Sequence, residues 1–182
     1  PSVIASVFLQ NHPTLRKKSG TREIGMDNTL KQFGETLQQE IISCASLEDQ
    51  EEFLGDSFTK IMVEYLVDAG ELDDGEVCYH KARGIEVSGY HMNDDGDQLD
   101  LFISILTQSN PPATVTRTEI DVALKRLTTF LRRSLNDYHK QLEEASPVFD
   151  MALRIHSARK HLDKVRLFLF TDGLTKGESS AV

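Results

Sequence analysis

Apolar positions recur along this chain with two different periods, and the changeovers between them outline a fold. From Asp27 onward, Leu30, Phe33, Leu37, Ile41 and Cys44 return every three or four residues, the spacing of a helix with one buried face. Asp27 suits the N-cap, and Gly34 weakens this helix without forbidding it. The same spacing predicts a second helix from about Ser57 to Ala69, capped by Asp56 or Ser57. Its inner face is Phe58, Ile61, Met62, Tyr65 and Leu66, and Gly70 supplies the left-handed stop.

The period then drops to two. "EVCYHKARG" and "IEVSGYHMN" are short, β-branched and aromatic, and "QLDLFISILT" follows a "DDGD" turn. Asp-Gly between two apolar-rich runs predicts a hairpin, because Gly accepts positive φ at low cost. Leu99, Leu101, Ile103 and Ile105 share one side, while Phe102 and Leu106 make the other side apolar too. A strand apolar on both faces belongs in the middle of a sheet covered on both sides.

Pro111 and Pro112 end that sheet region. Thr118, with Asp121 three residues on, reads as a near capping box. Ile120, Leu124, Leu127, Leu131, Leu135, Tyr138 and Leu142 predict one long helix. This stripe is either a core face or a surface for self-association. Ser146-Pro147 opens another helix over "ASPVFDMALRIHSARKHLDK". Val165 to Phe170 is a buried strand, and Thr171-Asp172-Gly173 is a turn.

The element order is helix, helix, three strands, two helices, strand. This is α/β, or α+β if the three strands form a meander: a central mixed sheet of about four strands flanked by four helices. It is compatible with a restriction-endonuclease-like arrangement. Residues 1–25 differ from the rest, with a short β-capable run and a basic, polar stretch, "RKKSGTREIG", so they read as a leader or arm. Residues 26–175 form a single domain and 176–182 a flexible tail. The chain begins at Pro1, and Met26 is a conceivable independent start.

Composition narrows the function classes. The chain has 182 residues, 39% hydrophobic and 27% charged, ordinary values for a soluble domain with a sizeable core. No apolar run approaches the ~18 residues of a membrane span and no secretory signal is visible, so the expected location is the cytoplasm. The net charge of −9 disfavours broad nonspecific binding to nucleic acid. Arg126, Arg132, Arg133, Arg154 and Arg159 nevertheless populate two consecutive helices, where they form either a phosphate-facing patch or a solvated face balanced by acids. Cys44 and Cys78 fit no metal pattern and are expected to be reduced thiols.

The candidate chemistry lies in the acids. A Mg²⁺-dependent nuclease needs two or three carboxylates converging on one cation, commonly with a Lys to activate water. Glu64 on the second helix, Glu86 on the middle strand and Asp100 on the third strand are the candidates for catalysis, with Asp100 and Glu86 as metal ligands. The site is incomplete, because Phe102 stands two residues after Asp100 where a Lys is wanted; Lys81 is a remote substitute. Asp94, Asp95 and Asp97 read as solvated turn residues. A buried Asp100 would instead want a structural partner. His80, His91, His139, His156 and His161 are scattered, and His156 and His161 stand five apart, so no zinc site is expected. No phosphate-cradling glycine loop and no nucleophile elbow is present.

The helix ending in "DAGEL", the "GY" strand with its acidic hairpin, "LDLFIS", the "EEASP" junction and "VRLFLFTDG" together carry a resemblance. Over about residues 55 to 175 the chain resembles the N-terminal region of AIPR-family (abortive infection phage resistance) proteins of prokaryotes. The resemblance implies an N-terminal module of a longer antiviral defence protein and brings no catalytic residues with it. Taken with the Lys missing after Asp100 and the apolar stripe from Ile120 to Leu142, it favours a non-catalytic role in self-association, as a homodimer, or in contact with other defence-system proteins. A divergent metal-dependent nuclease is the alternative.

Overall fold

The computed structural model describes residues 24–46, 54–110 and 112–175; side chains are described from residue 32, save Ser46. Of the arm expected over residues 1–25, residues 1–23 lie outside the described residues and 24–25 belong to the first helix; the tail from 176 also lies outside. Two helices come first, α1 (Ile24–Ser46) and α2 (Leu54–Asp68). A meander follows: β1 (Glu76–Ala82), β2 (Ile85–Met92) and β3 (Gln98–Ile105). After β4 (Thr114–Val115) come α3 (Arg117–Leu135), a 3₁₀ turn (Tyr138–Gln141) and α4 (Pro147–Ala158), then β5 (Lys164–Thr171) and β6 (Leu174–Thr175).

The main sheet runs β1-β2-β3-β5, antiparallel within the meander and parallel between β3 and β5. It is the mixed four-stranded sheet expected from the sequence, in an α+β order. The two pleat faces of β3 explain why both must be covered. Leu99, Leu101 and Ile103 join Ile85, Val87, Leu167 and Leu169 in a core closed by Leu127 and Phe130 of α3 and Met151 and Ile155 of α4. On the opposite face Phe102, Phe168 and Phe170 pack against Phe58, Met62 and Leu66 of α2 and Leu37 and Ile41 of α1. The central strand is therefore buried on both sides, with large apolar residues on each.

The acidic hairpin forms as predicted. Gly96 N–H donates to the Asn93 carbonyl at 3.0 Å, and Gly96 has φ +71°. Asn93 locks the turn with its side chain, its Oδ1 accepting from Gln98 N–H at 2.9 Å and its Nδ2 donating to Asp97 at 2.7 Å.

Several boundaries differ from the sequence reading. The helices α1 and α2 begin at Ile24 and Leu54, so Asp27, Asp56 and Ser57 lie within them rather than capping them, and α4 ends at Ala158, short of the predicted Lys164. The capping box of α3 is Thr116 and Glu119, with Thr116 N–H donating to the Glu119 carboxylate at 2.7 Å, two residues earlier than expected. Thr114–Val115 and Leu174–Thr175 add an unforeseen two-stranded parallel sheet. The long helix is broken: α3 ends at Leu135, Asn136 Nδ2 caps it by donating to the Arg132 carbonyl at 2.7 Å, and Asp137 turns left-handed at φ +63°. The break turns Tyr138 into the core, where it meets Phe130 edge-on at 6.2 Å and its hydroxyl sits 3.0 Å from His80 Nε2. The whole stripe from Ile120 to Leu142 packs into the core beneath it.

Candidate functional site

Asp100 sits on the face of β3 that carries Phe102, in register with Arg166 of β5. It is fully buried, and Arg166 holds it with two parallel bonds, Nε to Oδ1 and Nη2 to Oδ2, each 2.6 Å. The fork geometry suits a planar carboxylate and is the strongest form of such a contact. Arg166 is itself fixed: Nη1 donates to the Glu71 carbonyl at 3.1 Å, and the guanidinium lies 5.2 Å from the centre of the Phe168 ring. The Asp100 carboxylate holds the Arg166 pKa above its already high ordinary value. A Gln98 side-chain amide approaches the same carboxylate at 3.4 Å.

Glu86 lies at the far end of β2, beside the turn to β1. Tyr79, Lys81 and Arg126 all donate to it, at 3.2, 3.0 and 2.7 Å. Burial works to raise its pKa, but the bonds from Lys81 and Arg126 outweigh it and hold the carboxyl below the usual range. Glu64 is exposed on α2, off the inner face.

The structure does not bring these three acids together. His91 is the partner of Asp100 across β2–β3, so Glu86 is five residues further along. At ~3.3 Å per residue that is about 16 Å, several times the reach of one cation's ligand shell. Both oxygens of Asp100 are occupied by a guanidinium, so Mg²⁺ does not fit there without displacing Arg166. Phe102, at the position where a Lys was wanted, is buried among Phe168 and Phe170.

Two further polar sites emerge. Asp172 follows β5, and its carboxylate accepts from the backbone N–H groups of Thr107 and Gln108 at 2.6 and 2.8 Å. It thereby secures the chain leaving β3, where Gln108 has φ +54°. The cavity beside it is only about 140 Å³ and is lined by Ile41, Leu54 and Leu106 as well as Asp172. That is well below the ~300–1,000 Å³ of ordinary ligand pockets.

The other site was missed by sequence reasoning. Asp137, His139 and His156 each present one ligand-type atom within 4.8 Å of the others. A continuous helix would have carried Asp137 and His139 past α4. The left-handed turn instead folds them onto its last turn, where His156 stands. Asn136-Asp137 was the available signal, since both residues tolerate left-handed backbone and favour helix ends.

Of the arginines, Arg126 is paired to Glu86, Arg154 donates to the Tyr90 hydroxyl at 2.9 Å, and Arg159 donates to the His156 carbonyl at 2.7 Å. Arg132 and Arg133 are exposed. Cys44 and Cys78 are free thiols. Among the described residues no helix is long and apolar enough to cross a membrane.

The family model for the abortive infection phage resistance protein N-terminal domain matches residues 58–181. No curated protein and no solved structure matched the chain significantly.

Proposed function

We infer, for a chain that belongs to the abortive infection phage resistance protein N-terminal domain family, a non-catalytic role in anti-phage defence. It acts through contact with a second copy or with another protein of the defence system. The observation that carries this reading is the neutralised Asp100. The one acid lodged inside the sheet has both oxygens committed to Arg166, and Glu86 and Glu64 stand apart from it. A hydrolytic centre needs carboxylates free to share a cation, and these three serve packing, pairing and solvation.

Two assays test the two halves of the proposal. Incubation with plasmid DNA and with RNA in Mg²⁺ or Mn²⁺ should give no cleavage above buffer. Cleavage abolished by both Asp100→Asn and Glu86→Gln, in chains that remain folded, would overturn the non-catalytic reading. Light scattering over a range of concentrations, with pull-down of the other defence proteins, addresses contact. A monomer at every concentration that captures none of them would remove the support for an association role.

A further inference from the structure

We propose that Asp137, His139 and His156 form a binding site for a divalent transition metal, with zinc as the reference ion, at the junction between α3 and α4. Two imidazoles and one carboxylate are a set that borderline-soft cations prefer over Mg²⁺ or Ca²⁺. His156 Nε2 already lies 3.4 Å from Asp137 Oδ1. Two ligands at ~2.0–2.1 Å from a tetrahedral zinc stand about 3.3 Å apart, so this edge of the polyhedron is in place. The imidazole rings of His139 and His156 lie 4.8 Å apart between centroids, and the full set is within 4.8 Å. Closing the third corner requires a contraction of about 1.5 Å on the same tetrahedral geometry.

A second observation points the same way. His139 is more than nine-tenths buried, held edge-on against Phe149 at 6.1 Å, and its Nδ1 has no hydrogen-bond partner. Buried polar atoms are normally satisfied, and an orphaned ring nitrogen on a buried histidine of the cluster is the pattern left when a ligand completes it. The setting also favours a cation. His156 occupies the last turn of α4, whose carbonyl end is the negative pole of the helix. Lys140 is the present occupant of the Asp137 carboxylate, at 3.0 Å; its side chain is two-thirds exposed, so it can swing into water when a metal arrives.

Such an ion would tie the connector after α3 to the end of α4 and fix the left-handed turn at Asp137. The full chain should bind one zinc, measured by competition with a chromophoric chelator, and one Co²⁺, seen as visible d–d bands. Asp137→Asn and His156→Ala should each weaken zinc binding at least tenfold and abolish the cobalt bands, with the circular dichroism spectrum unchanged. Asp137 is half exposed, so its amide variant retains the fold and decides the matter alone if His156→Ala does not fold. No stoichiometric binding by the parent chain, or zinc affinity within twofold of the parent in the Asp137→Asn variant, would overturn the proposal.

Discussion

Cutting the Asp100–Arg166 pair from its two ends should have unequal effects, and the inequality follows from burial. Arg166→Met leaves a carboxylate with no exposed surface and only the Gln98 amide, 3.4 Å away, as a donor. Removing one partner of a buried pair costs ~3–5 kcal/mol, and a fully enclosed anion belongs at the upper end. Asp100→Asn leaves an arginine whose side chain is 13% exposed and whose guanidinium keeps both the Glu71 carbonyl and the Phe168 ring. The asparagine carbonyl still accepts one bond. The loss is then one charge-assisted bond and part of the desolvation, about 2 kcal/mol, or roughly a thirtyfold shift in the folding equilibrium. The double variant should fall short of the sum by at least ~2 kcal/mol, since neither charge is stranded. Urea unfolding followed by circular dichroism reads all three, with the m-value unchanged if the native state stays compact. A neutral or stabilising Asp100→Asn would refute the reasoning. That is the behaviour of a residue held under strain for chemistry, where removal commonly adds stability. An Arg166→Met variant milder than Asp100→Asn would refute it equally.

Three other outcomes follow from single contacts. Asp172→Ala deprives the Thr107 and Gln108 N–H groups of their acceptor and should cost about 2–3 kcal/mol in the same urea experiment; a loss under ~0.5 kcal/mol would show that water replaces the carboxylate without penalty. At Gly89 an added Cβ would sit 2.4 Å from the Glu76 carbonyl oxygen, so Gly89→Ala must push β1 off the sheet. A cost of about 3 kcal/mol is expected, a drop in Tm near 10 °C for a domain of this size, and an unchanged Tm would contradict the close approach. Burial pushes the His80 pKa below its ordinary value. On acidification the unfolded chain takes up this proton first, so the stability it contributes is present above about pH 6.5 and is lost as pH falls from there toward the depressed folded value. The drop in urea midpoint between pH 7.5 and 5.5 should shrink in His80→Gln, and an equal drop in both proteins would discount His80.

How far the sequence could be read depended on the range of the interaction. The hairpin at Asn93–Asp97 is settled by five consecutive residues, so local turn chemistry sufficed. The two buried sides of β3 were visible because Phe102 and Leu106 stand opposite Leu99, Leu101, Ile103 and Ile105, and that pattern already required a layer of helices on each side. A buried Asp100 announced its need for a partner. The partner itself was hidden, because Arg166 is set opposite by the parallel register of β5, and no local pattern encodes a register between distant strands. The stripe from Ile120 to Leu142 misled in a different way. Its spacing continues through Asn136-Asp137 because Tyr138 and Leu142 are core residues on both sides of a break. Periodicity counts buried positions and is blind to the backbone that joins them. The Asp137, His139 and His156 cluster depends on that backbone turn and on α4 docking beneath it, so linear spacing could not have assembled it.

The crossover that places β5 beside β3 also sets an order of events during synthesis. Asp100 and Arg166 are 66 residues apart, so a growing chain has its meander out of the ribosome long before the guanidinium exists. Until then the inner strand carries an open edge and a carboxylate that must stay wet, and closure of that long loop has to wait for the last strand. A nascent chain arrested short of Arg166 thus has three of the four strands and a charged, hydrated seam. That seam repels the premature burial to which unfinished sheets are prone, and β5 both completes and seals it.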